Sequence, residues 1–134
     1  MLLALVGAVF AALVAVFGKV GLQGIDTTVA TTVRAVIMAV FLIVVSLGFG
    51  KISFASLPQG KPLLFITFSG IAGALSWLAM FAALKMGPAP SVAAIDRTSV
   101  VFVLIFSLLF LGTQFTWKAL LGAALITLGA ILMV

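Results

Sequence analysis

Asp96 and Arg97 stand side by side in the run AAIDRTSVVF (93–102), and no other charged residue occurs from Ser91 to Leu111. A carboxylate can hold an amine, pair with a cation or take up a proton. A guanidinium can grip a carboxylate or phosphate through two parallel N–H bonds. Two further cations are placed for such work: Arg34 within an apolar run, and Lys19 at the end of one. The chain has no cysteine and no histidine. Thiolate nucleophiles and cysteine metal sites are therefore excluded, and the commonest metal ligand and near-neutral acid–base group is missing. Asp26 and Asp96 are the only acids. That argues against a metalloenzyme or a paired-carboxylate hydrolase, and no nucleophile–base pair points to an enzyme. No cofactor or metal is implied.

The elements that position these residues follow from composition. Of 134 residues, 66% are hydrophobic and 7% charged, against about half and a quarter in soluble domains. The chain reads as an all-α integral membrane protein. Its net charge of +5 comes from basic residues scattered singly between apolar runs. That pattern suits membrane anchoring and forms no patch for nucleic acid. A spanning helix needs about 20 apolar residues, and five runs qualify, at approximately 2–19, 28–49, 62–84, 90–111 and 117–134. The first lacks a basic leader and reads as a span, not a secretory signal.

The connections GLQGIDT (21–27), GKISFASLPQGKP (50–62), KMGPAP (85–90) and GTQFTWK (112–118) are short. None holds a folded domain, so residues 1–134 are expected to form a single five-transmembrane-helix bundle. Asp26 is placed to cap the second helix, and Pro90 falls in the first turn of the fourth, where proline is tolerated. Trp117 and Lys118 read as an interface anchor.

Arg34 lies eight residues past Asp26, and Asp96 eight past Pro88, about 12 Å into their helices. Lys19 belongs to the same side of the membrane. Lys19, Arg34, Asp96 and Arg97 can thus share one depth, and opposite charge makes Asp96 a partner for Arg34 or Lys19. Asp96 shares its helix face with Ser99. On the second helix Thr27, Thr31, Arg34 and Met38 form a stripe, and on the third Gly70, Gly73, Trp77 and Met80 do the same. Trp77 lies about 12 Å before Lys85, too deep for an interfacial belt. These stripes and one acid are what a central cavity needs. The expected lining is Lys19, Thr31, Arg34, Trp77, Met80, Asp96, Arg97 and Ser99. The plainer alternative is that Asp96 neutralises a cation and pins helices together, with Arg97 snorkelling outward.

Three stretches, FGKVGLQGIDTTVATTVR, SGIAGALSWLAMFAALKMGPAPSVAAIDRTSVV and FLGTQFTWKALLGAALITLGAILMV, together resemble one repeat of the drug/metabolite transporter superfamily, EamA type. The resemblance covers essentially the whole chain, and ALKMGPAPSVAAID is its most specific part. It implies one half of an inverted-repeat transporter, whose members usually carry ten spans as two five-helix repeats. Where such repeats often read Leu-Gly-Glu, this chain has Leu111-Gly112-Thr113-Gln114. The small multidrug-resistance relatives have four spans and a glutamate in the first, which this sequence does not share.

A single repeat implies a partner, and the expectation is a homodimer, with an antiparallel pair favoured. Lys51, Lys61 and Lys118 fall on one side and Lys19 and Lys85 on the other, so the positive-inside bias is small and both insertions are open. Ala119, Ala123 and Thr127 offer a small-residue face on the fifth helix. Arg34, Arg97 and Lys19 outnumber Asp96, which suits an anion-bearing, amino-acid-like or other small metabolite. The resulting expectation is a secondary transporter, multi-pass in the inner (plasma) membrane, surrounded by membrane lipid. The alternatives are a non-transporting membrane subunit with another partner, and a lipid-handling or channel-like protein.

Overall fold

A computed structural model describes residues 1–51, 58–114 and 116–134. Part of the 50–62 connection, including Ser56, and Phe115 lie outside the described residues. Among the described residues all regular structure is helical: α1 (Leu2–Gly21), α2 (Thr27–Gly48), α3 (Lys61–Met86), α4 (Ala89–Asp96), α5 (Ser99–Leu111) and α6 (Trp117–Leu132). Four runs are long and apolar enough to cross a membrane: α1, α2, α3, and the 23 residues Ala89–Leu111 that hold α4 and α5. The shorter apolar α6 has 16 residues, about 24 Å of helix. The chain thus has the expected five-span, all-helical composition of a multi-pass membrane protein.

The fourth span carries a feature that its hydropathy does not announce. It is interrupted at Arg97 and Thr98, beside the Asp–Arg pair. Hydrogen bonds there tighten to three-residue spacing, Thr98 N–H to Ile95 O at 2.9 Å, Val100 N–H to Arg97 O at 3.2 Å and Val101 N–H to Thr98 O at 2.9 Å. The Thr98 hydroxyl also donates to Ile95 O at 2.7 Å. A threonine side chain competing for a backbone carbonyl favours such a local change of helix type. The span ends at Gly112, whose φ of 63° lies in the left-handed region that a Cβ disfavours.

The chain divides into two compact units. In the unit of residues 1–19 and 86–134, α6 packs on α4 and on α5. Ser91, in the first turn of α4, donates from its hydroxyl to Met133 O at 2.7 Å and satisfies a carbonyl that the end of α6 leaves open. Ala123 and Ala130 are buried. Part of the small-residue face of α6 therefore serves packing inside this unit. Lys19, in the last turn of α1, donates to Gly87 O at 2.8 Å.

The unit of residues 20–85 pairs α2 with α3. Asp26 caps α2 by accepting from Thr28 N–H at 2.8 Å and Val29 N–H at 3.3 Å. These backbone donors hold its carboxyl below the usual carboxylate range, and Lys85 adds to the effect. Lys85, at the end of α3, donates to Ile25 O at 3.1 Å. The start of α2 therefore lies beside the end of α3, and the two helices run antiparallel.

Candidate functional site

That register brings two expected residues together. Arg34 and Trp77 lie at matching depth on antiparallel helices, and the guanidinium carbon of Arg34 sits 3.5 Å from the centroid of the Trp77 ring. The same carbon is 5.8 Å from the Phe81 centroid. Trp77 and Phe81, one turn apart on α3, meet edge to face at 5.7 Å and 89°. Phe81 is buried, whereas Arg34 and Trp77 are half-buried. A guanidinium is planar and weakly hydrated, so it lies flat on an indole where an ammonium would not.

Thr31, one turn before Arg34, is 7% exposed. Its hydroxyl donates to Thr27 O at 2.8 Å, which commits its proton and leaves oxygen lone pairs. Met80 is half-buried on α3, one turn after Trp77. Within this unit, and among its described residues, the Arg34 guanidinium has aromatic partners and no hydrogen-bond acceptor. No buried side-chain nitrogen or oxygen among the described residues lacks a hydrogen bond. The Arg34 N–H groups are therefore not sealed inside the chain.

The other four expected residues belong to the unit of residues 1–19 and 86–134. Lys19 engages the Gly87 carbonyl. Asp96, Arg97 and Ser99 are exposed and flank the tightened turn between α4 and α5. Phe81 was not among the residues expected from sequence. Its position four residues after Trp77 was the available signal, because residues at that spacing share a helix face.

A concavity of about 510 Å³ lies between α5 and α6 and is lined by residues such as Val101, Leu104, Leu120 and Ala124. Thr127 also borders it, but its hydroxyl donates to Ala123 O at 2.9 Å. That groove is lined almost wholly by hydrocarbon and holds no charged residue.

The sequence profile of the EamA-like transporter family matches residues 1–134. A curated protein of Sinorhizobium sp, described as "Uncharacterized transporter in cobO 3'region", is 42% identical over 130 residues, covering 97% of this chain and 92% of that protein. No solved structure matches significantly. An all-helical chain with apolar spans, a cation held on an aromatic shelf inside one of them and a family match along its whole length is a member of the EamA-like transporter family.

Proposed function

We propose that this chain is a secondary transporter for a small metabolite bearing an anionic group, amino-acid-like or otherwise. It works by alternating access in the inner (plasma) membrane. The observation that carries this reading is the Arg34 guanidinium stacked on Trp77 inside a span. A cation near the middle of an isolated membrane helix costs about 2.5 kcal/mol or more, while a cation–π contact returns about 0.5–2 kcal/mol. Stacking offsets part of the cost. The rest is met when the N–H groups reach water or an anion, and a site opened to water by turns supplies both. The family match and the transporter description of the Sinorhizobium protein support transport in general.

The working unit is a homodimer of five-helix repeats, with the two copies antiparallel. One repeat with five spans has its termini on opposite sides, and inverted repeats around a midplane site are a known basis of alternating access. The lysine distribution of three against two permits dual insertion. Asp96, Arg97, Lys19 and Ser99 are retained as further candidates for substrate contact, each to be tested by its own substitution.

Uptake of labelled organic anions by the purified chain in proteoliposomes tests the proposal. Arg34→Gln should reduce uptake by about tenfold, as expected for loss of a charge-assisted pair. Absence of uptake by the chain alone, with uptake restored by a second membrane protein, would favour the subunit reading instead.

A further inference from the structure

The surroundings of Arg34 bear on the kind of anion. We infer that the Arg34–Trp77 site selects an organic carboxylate with an apolar body and no ammonium group beside the carboxylate. This rests on the reading of Arg34 as the substrate anchor.

The guanidinium face is taken by the indole at 3.5 Å, which leaves its in-plane N–H fork to meet a carboxylate with two parallel bonds. Stacking and in-plane pairing use different parts of the group, so the carboxylate can bind without displacing Trp77. Around the guanidinium the unit supplies the rings of Trp77 and the buried Phe81, with Met80 one turn from Trp77 on the same helix. An α-ammonium brought in with the carboxylate would need an acceptor. The one acid of this unit, Asp26, is about 12 Å away along α2, and its oxygen accepts from Thr28 and Val29. Thr31 offers a hydroxyl oxygen but no carboxylate. The Trp77 face, the best place for a second cation, already carries Arg34. A zwitterion would therefore set its ammonium against a guanidinium with no counter-charge from this unit, whereas an apolar acid meets a matching surface.

The sequence allows a direct test, because Trp77 and Trp117 are the only tryptophans. Trp117 is 72% exposed at the start of α6 and can be replaced. In the full-length W117F chain, in lipid nanodiscs, Trp77 fluorescence is titrated with 3-phenylpropanoate, L-phenylalanine and 2-phenylethylamine. These probes share one ring and differ in charge. The expected result is a saturable change with 3-phenylpropanoate, at least about tenfold weaker binding of phenylalanine and no response to the amine. Arg34→Lys keeps the charge and removes the fork, and should weaken 3-phenylpropanoate binding several-fold. Its melting temperature with and without the acid shows that the variant is folded. Phenylalanine binding as tight as 3-phenylpropanoate, and still dependent on Arg34, would overturn the exclusion of ammonium while leaving Arg34 as the anchor. No Arg34-dependent binding of either acid would overturn the anchor reading and this inference with it.

Discussion

Lys85 and Ile25 join the end of α3 to the start of α2 through an Nζ–H to carbonyl hydrogen bond of 3.1 Å. This tie and the Arg34–Trp77 stack fall in one antiparallel register, with the tie near the helix ends and the stack about 12 Å deeper. The tie ends one helix by satisfying a loop carbonyl of the other, and it is exposed to screening. Lys85→Met should therefore lower stability by about 0.5–1 kcal/mol and leave the depth of Arg34 unchanged. Thermal unfolding in detergent, compared at low and high salt, measures it. A larger loss would mean that the tie sets the register of the whole pair.

Arg34 and Trp77 should be energetically coupled. In a double-mutant cycle of Arg34→Gln and Trp77→Leu, the coupling should be about 0.5–2 kcal/mol, the range of a partly desolvated cation–π pair. Additive losses would show that the stack contributes nothing. The same cycle with Asp96→Ala tests the ion pair that opposite charge suggested.

Asp26 gives a pH dependence with a definite sign. Its carboxyl is held below the ordinary value of 3.8 by the Thr28 and Val29 N–H groups. The folded form binds its proton less readily than the unfolded form, so its contribution is present above the unfolded value. That contribution is lost as pH falls through the lowered folded value. Asp26→Asn keeps a cap and removes the charge, and should flatten this acid limb of a melting-temperature profile. An unchanged limb in the variant would assign the effect to another group.

Gly112 ends α5 at a φ of 63°, and a Cβ built there meets nothing within 4 Å. Any cost of Gly112→Ala is therefore conformational, about 1–2 kcal/mol for a left-handed alanine. Far-ultraviolet dichroism should show helix content retained, with the melting temperature lowered. Unchanged stability would indicate that α5 ends differently in the membrane.

Dual insertion predicts labelling from both sides. A single cysteine in place of the exposed Gln59, in a chain with no native cysteine, should react with an impermeant reagent from outside in about half of the molecules and from inside in the rest. Labelling from one side alone would rule out an antiparallel homodimer.

Sequence determined the environment, the number of apolar runs and the place of each ionisable residue along its run. These depend on composition and on residue order, which no tertiary contact alters. The stripes that put Arg34 on one face of α2 and Trp77 on one face of α3 were legible for the same reason. So was the Asp26 cap, because capping is local. The tertiary structure decided which faces meet. Charge nominated Asp96 as a partner for Arg34, a pairing for the double-mutant cycle to test, and helix pairing within one unit added the ring of Trp77 3.5 Å from it and that of Phe81. Hydropathy read residues 89–111 as one span, because a tightened turn changes hydrogen-bond spacing without changing polarity, and Thr98 marks it only through its bond to Ile95. The small-residue spacing of α6 fixed what can pack closely but not against what, and burial of Ala123 and Ala130 assigns part of that face to the chain's own helices.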